Sequence, residues 1–284
     1  MTARFVSAPL LGARLVAAAL AVALGVAPAS AVVGLGGSKN SSAPVAIEAE
    51  DGIEWQQAKQ IYIARGKARA AQGDTTVRAD TLTAHYRTAA NGDTEIWRVV
   101  AEGNVRIQST GRLATGDQGT YDIDKGVLVL TGKVVRLESQ LEKIRASQSL
   151  EYWEQRRIAV ARGNAVAQKD GRELRADVLT AHMRENKAGQ LEMWRIEAFG
   201  NVEVATAAEV ARARYGDYDP DSGIAHLAGG VKISRGQNQM NGEFAEVNMK
   251  TGTSRLTAQP KGADAAPRVR GVFQPKSAPA PAKP

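Results

Sequence analysis

The sequence predicts an all-β, antiparallel body, sandwich-like or jelly-roll-like, assembled from repeated hairpin units. Three observations predict it. The first is a gapless internal copy displaced by 97 residues: Arg78-Ala79-Asp80-Thr81-Leu82-Thr83-Ala84-His85 returns as Arg175-Ala176-Asp177-Val178-Leu179-Thr180-Ala181-His182. The same shift carries Ala64-Arg65-Gly66 onto Ala161-Arg162-Gly163, Gly103-Asn104-Val105 onto Gly200-Asn201-Val202, and Tyr121-Asp122 onto Tyr218-Asp219. A fixed period marks one structural unit stacked on copies of itself, with contacts mainly between neighbours.

The second observation is alternation, because successive side chains of a strand point to opposite faces. Ile196, Ala198, Gly200, Val202 and Val204 fall on one face, with Glu197, Asn201 and Glu203 on the other. Val99, Ala101, Gly103, Val105 and Ile107 likewise oppose Glu102, Asn104 and Arg106. The third is turn chemistry between the arms, in Ala90-Asn91-Gly92-Asp93, Asp122-Ile123-Asp124-Lys125-Gly126, Lys187-Ala188-Gly189 and Asp219-Pro220-Asp221-Ser222-Gly223. Such clusters favour tight reversals. Helical repeats would show apolar spacings of three and four instead.

Taken in order, residues 1–31 predict a cleaved export leader, with Arg4 and Arg14 flanking the apolar run Leu15 to Ala27 and Ala29-Ser30-Ala31 as the cleavage site. The run falls short of the roughly 20 residues of a membrane span, so the expected location is the periplasm. Residues 32–43 are Gly/Ser-rich and read as a flexible lead-in. The body is expected over 44–257, with copies at about 54–150 and 151–247. Gly66, Gly103, Gly132, Gly163, Gly200 and Gly229, at intervals of 37, 29, 31, 37 and 29, divide it into six units. Each glycine marks either a close approach on the inward face or a bulge that curves the sheet. Leu141 to Trp153 has some helical character, but its register with Asn238 to Lys250 argues for strand. Residues 258–284, rich in Pro and Ala, predict a disordered basic tail.

Charge and composition narrow the function. There is no cysteine, so packing and strand pairing must supply the stability. Of the net charge of +7, the leader holds +2 and Lys261 to Pro284 holds +4. No concentrated basic stripe of the kind a duplex requires is evident along the chain, and nucleic acid is not an expected partner. His85 and His182 are repeat equivalents, and no zinc-ligand spacing, phosphate loop or nucleophile elbow occurs. No cofactor or metal is expected. Trp55, Trp97, Trp153 and Trp194 form two pairs spaced 98 and 97 apart, suited to a groove lip or to the core.

The run Pro44-Val45-Ala46-Ile47-Glu48-Ala49-Glu50, the repeated Gly-Asn-Val arms, the Ala-Asp arms and the closing segment Asn241 to Gly252 resemble the OstA-like family. The resemblance covers about residues 44–257 and implies an open, V-shaped β-jelly roll that holds the acyl chains of lipopolysaccharide. It also implies end-to-end pairing with like-folded domains of inner-membrane and outer-membrane transport proteins, so that a bridge spans the periplasm.

The resulting reading is a non-enzymatic lipopolysaccharide carrier that forms head-to-tail homo-oligomers. Its expected lipid contacts in the first copy are Val99, Ala101, Val105, Ile107, Leu128, Leu130 and Val134. In the second they are Ile196, Ala198, Val202, Val204, Leu227, Val231 and Ile233. Burying a methylene is worth about 0.8 kcal/mol, so shielding about ten supplies ~8 kcal/mol, the scale of micromolar binding before association costs. Two other readings stay open. One is a structural β-repeat protein whose inward residues form a closed core. The other is an exported carbohydrate-active enzyme, which would need an acid pair such as Asp122 and Asp219.

Overall fold

The computed structural model describes residues 45–273 apart from 91, 110, 141, 170, 188–190, 208, 249, 252 and 259–267. The leader at 1–31, the lead-in at 32–43 and most of the tail lie outside the described residues. The first copy contributes β1 (Ala46–Glu48), β2 (Gly52–Gln56), β3 (Ile61–Gln72), β4 (Thr75–Thr88), β5 (Thr94–Ser109), β6 (Arg112–Asp122), β7 (Val127–Thr131), β8 (Val135–Ser139) and β9 (Glu142–Ala146). Then follow β10 (Ser149–Trp153), β11 (Ile158–Lys169), β12 (Arg172–Glu185), β13 (Leu191–Ala205), β14 (Val210–Asp219), β15 (Ile224–Arg235), β16 (Asn238–Asn248), β17 (Thr253–Thr257) and β18 (Arg270–Val272). Every pairing among the described residues is antiparallel, and the segment from 142 to 153 is two strands, β9 and β10, joined by a bend at 147–148. One 3-10 turn spans Gln57–Lys59.

The long strands each belong to two sheets. Pairing breaks midway, as between Arg65 and Ala68 of β3, Glu102 and Val105 of β5, and Phe199 and Val202 of β13. On one side of these breaks, sheet I runs β2-β3-β4-β5-β6-β7-β10-β11-β12-β13-β14-β15-β16-β17. On the other, sheet II runs β1-β3-β4-β5-β6-β8-β9-β11-β12-β13-β14-β15-β16-β18. The breaks line up as a crease joining the two sheets. Among the described residues, no backbone hydrogen bond joins the free lip of one sheet to that of the other.

The glycines explain the crease. Gly103 and Gly200 lie at φ +78° and +72°, followed by Asn104 and Asn201 at +48° and +47°. This backbone is the left-handed region that glycine and asparagine tolerate best. A Cβ at either glycine would also sit 2.8 Å from the carboxyl carbon of Asp80 or Asp177. Those carboxylates accept from the corner asparagines, Asn104 Nδ2 at 2.9 Å and Asn201 Nδ2 at 3.0 and 2.9 Å. Curvature therefore accounts for the repeated glycines. It also accounts for the recurrence of Asp80 and Asp177.

Between the sheets, inward side chains pack into two clusters. Ala64, Leu82, Ala101, Leu130 and Val105 belong to the first, and Ala161, Leu179, Ala198, Val202 and Leu227 to the second. Leu150 packs against both, so apolar packing runs unbroken through the two copies. In sheet I the row at the crease reads Ala64, Leu82, Ala101, Gly119, Leu130, Leu150, Ala161, Leu179, Ala198, Gly216, Leu227, Ala245 and Leu256. Large and small residues intermix along it, which lets facing layers interdigitate.

Two expectations are corrected. Val134 does not face inward: it is 44% exposed, while Val135 is fully buried. In the second copy two residues, Gly229 and Gly230, separate Ala228 from inward Val231, which preserves the alternation. In the first, three residues (132–134) separate β7 from β8, so the inward position slips by one. A one-residue slip moves side chains to the opposite face. The tail is also not wholly unstructured, because Arg270, Gly271 and Val272 pair with Asn241, Met240 and Gln239 of β16. That pairing gives sheet II its C-terminal edge.

Candidate functional site

The candidate site is the seam between the two inner faces. Ala101, Val105, Ile107, Leu128 and Leu130 of the first copy are buried there, and Val99 is half-buried. In the second copy Ile196, Ala198, Val202, Val204, Leu227, Val231 and Ile233 are all buried. Of the expected contacts only Val134 points away. β5 and β13 supply inward residues to both sheets because each crosses the crease, Ala101 and Ala198 before it and Val105 and Val202 after it.

None of the tryptophans is a core residue. Trp55 is 57% exposed at the N-terminal end of sheet I, stacked on Tyr62 at 5.9 Å, with its Nε1 donating to Tyr86 Oη at 2.8 Å. Trp97 and Trp194 instead lie against His85 and His182, at 5.6 and 5.8 Å. These histidines alternate with inward Ala84 and with Ala181, so both tryptophans belong to the outer face. Trp153 is not the counterpart of Trp55. The residue opposite Ala159 is Tyr152, as Trp55 is opposite Tyr62. The spacing of 98, one beyond the repeat, puts Trp153 outside under Arg156, whose guanidinium lies 5.1 Å from its ring.

Charged groups are held in structural roles. Asp122 accepts from the Lys125 backbone and side chain at 3.0 Å each. Burial opposes its charge, but these bonds prevail and hold the carboxyl below the usual range. Asp219 behaves in the same way: burial is outweighed by bonds from Ser222 and Asp221. Both carboxyls therefore stay ionised at neutral pH, which does not suit a general acid. His182 Nε2 lies 2.7 Å from Glu197, which also meets Arg195 at 3.1 Å. Burial and the nearby Arg98 lower the pKa of His85. Among the described residues no group of His, Asp and Glu could hold a metal ion, and no helix is long and apolar enough to cross a membrane.

The outer faces differ sharply, which the linear sequence conceals. One transverse row on sheet II begins Glu48, Arg69, Arg78, Arg106, Thr115, Arg136, Arg145 in the first copy. It continues Val166, Arg175, Glu203, Arg212, Lys232, Asn241, Arg270 through the second. The matching row of sheet I reads Glu54, Ile63, Thr83, Val100, Thr120, Val129, Glu151, Val160, Thr180, Glu197, Asp217, His226, Glu246 and Arg255, five acids to a single arginine.

The fold and its seam define the class: an antiparallel β-jelly roll doubled in tandem, with an apolar interior running through both copies. A family profile described as LptA/(LptD N-terminal domain) LPS transport protein matches residues 46–148 and again 143–253, one match per copy. The chain belongs to this family of lipopolysaccharide transport proteins. It is similar to an uncharacterized protein of Rhizobium meliloti (strain 1021), 32% identical over 131 residues that cover 45% of this chain and 67% of the relative. Among solved structures it is similar to LptH, the LptA homologous periplasmic component of the lipopolysaccharide transport device of Pseudomonas aeruginosa. That match covers 84% of this chain and all of the other, at 13% identity and a TM-score of 0.21, too loose a superposition to add to the family assignment.

Proposed function

We propose that this protein is a periplasmic lipopolysaccharide carrier that forms part of a bridge from inner to outer membrane. The observation that carries this reading is the unbroken apolar seam, running through both copies and bounded by sheets that, among the described residues, are joined by backbone only along the crease. The acyl chains lie between the inner faces, admitted when the lips part, and the sugar head stays in water. Val99, Ala101, Val105, Ile107, Leu128 and Leu130 make the contacts in the first copy. Ile196, Ala198, Val202, Val204, Leu227, Val231 and Ile233 make them in the second.

The ends supply the rest of the bridge. Among the described residues both sheets finish in free edges, β1 and β2 at one end and β17 and β18 at the other. Seven of the nine exposed large apolar residues among those described lie at these ends, Val45, Ile47, Ile53 and Trp55 at one and Val269, Val272 and Phe273 at the other; Val134 and Phe199 lie between them. Unpaired edges invite strand addition. Head-to-tail copies, and like-folded domains of membrane-bound transport proteins, would extend both sheets there.

A closed-core reading draws on a different observation, since nearly all the inward candidates are packed below one-tenth exposure. A fluorescent lipid A analogue separates the two. The carrier reading expects the bound probe to be shielded from an aqueous quencher, with shielding lost when Val202 or Leu227 becomes aspartate. Equal quenching with and without the protein would leave only the closed core.

A further inference from the structure

The basic row on sheet II is unexplained by the seam, because it faces the other way. Scattered arginines become one line only through strand register. At about 4.8 Å per strand, it spans roughly 60 Å. Arg69 and Arg78, Arg78 and Arg106, Arg136 and Arg145, and Arg212 and Lys232 stand directly opposite one another. Like charges in that position weaken a sheet, so folding alone gives no reason to keep them. Arg78, Arg106, Arg136, Lys232 and Arg270 are exposed and form no ion pair among the described residues. Arg212 is held by Glu203 at 2.7 Å and Arg69 by Glu48 at 3.2 Å.

A depression lies at the middle of this line. Val166, the one aliphatic member of the row, is 6% exposed between Arg145 and Arg175. There a cavity of about 410 Å³ is lined by Lys133, Arg145, Arg175, Asn164 and Asn201, among others. Its acids are already engaged, Asp177 by Asn201 and Glu203 by Arg212.

We propose that the outer face of sheet II binds an extended anionic glycan, laid across the strands with one charged group seated over Val166. The line is one residue wide. The row beside it toward the lip is mostly uncharged (Ala71, Thr76, Gln108, Leu113, Gln168, Ala205); its charged members are Glu138, Lys143 and Glu173, the last paired with Arg175, and the crease carries Asp80 and Asp177. A membrane surface would call for a broad basic patch with apolar residues at its centre. Single-stranded nucleic acid would call for aromatic platforms, and the row has none. A linear sugar polymer offers one anionic group per repeat, on a spacing close to that of the strands.

The test uses the full chain, polygalacturonate as probe and neutral dextran as control. Binding to polygalacturonate that weakens steeply with salt is expected, and none to dextran. The triple variant R106Q/R136Q/R145Q should bind at least tenfold more weakly with a melting temperature no lower than that of the unaltered chain, since it relieves like-charge pairs. K59Q/R156Q/R255Q, with the same charge removed from the other side, should stay within twofold. Both triples should still shield the lipid A probe, which separates this proposal from the carrier reading. Absent polygalacturonate binding at low salt, or equal losses in the two triples, would overturn it. Tighter binding of a single-stranded oligonucleotide or of anionic vesicles would overturn it too, assigning the row to that ligand.

Discussion

Replacing Gly200 with alanine tests the crease, on which the placement of every seam residue depends. At φ +72° the substitution forces an L-residue into the left-handed region, at a cost of about 1–2 kcal/mol. The new methyl would also meet Asp177, with Cγ 2.8 Å and Cβ 3.0 Å away. The carboxylate must move and give up its bonds from Asn201 at 3.0 and 2.9 Å. At this exposed site their loss costs about 1–2 kcal/mol more. The total is about 2–4 kcal/mol, read by urea unfolding as a midpoint lowered by about 1 M at an m-value of about 3 kcal/mol/M. Gly171→Ala is the control, because Gly171 has φ +73° but nothing within 4 Å of a new Cβ. It should show the conformational cost alone. In the double variant G200A/D177A the two losses should not add, since the residues share one contact. If Gly200→Ala costs no more than Gly171→Ala, the carboxylate is not what sits over the corner, and the crease has been misread.

Three further outcomes are expected. Leu227, 2% exposed, should lose about 2–5 kcal/mol as Leu227→Ala, whereas Val134→Ala should stay within about 0.5 kcal/mol, both measured by denaturant unfolding. Acid should unfold the protein through carboxyls such as Glu151. Burial raises its pKa, but bonds from Arg162, Ser149 and Trp153 outweigh that and set it below the ordinary 4.5. A depressed carboxyl pKa gives stability that is complete above 4.5 and lost as pH falls through the folded value. Thermal melts against pH should therefore show Glu151→Gln flattening the acid limb; an unchanged limb would contradict the assignment. Deleting residues 268–284 uncovers the β16 edge at Gln239–Asn241. Sedimentation should then show less self-association at equal concentration, because β18 and its apolar residues belong to the joint; an increase would mean that β18 instead caps the β16 edge.

Most of the fold was legible because the alternation of apolar and polar residues survives the crease. Where the corner inserts two residues, as at Gly103-Asn104, parity is kept, and Ala101 and Val105 both read correctly as inward. Where it spans three, at 132–134, parity breaks, and simple alternation puts Val134 on the inward face that Val135 occupies. No local signal marks that extra residue, because Gly-Lys-Val-Val resembles Gly-Gly-Val-Lys under the 97-residue shift. The tryptophan spacing of 98 carried a visible clue, since one residue beyond the period turns Trp153 outward. The basic row was hidden for another reason: its members are dozens of residues apart, and only register unites them. The motif Arg-Ala-Asp at 78–80 and 175–177, with an outward base beside each corner, was its only trace in the chain.

Photo-crosslinking in living cells addresses the carrier reading most directly. A photoreactive residue at Val105 or Val202, both inside the seam, should capture lipopolysaccharide, while the same group at exposed Val134 should not. Capture from Val134 alone, or from none of the three in a protein that still folds, would contradict passage of lipid between the sheets.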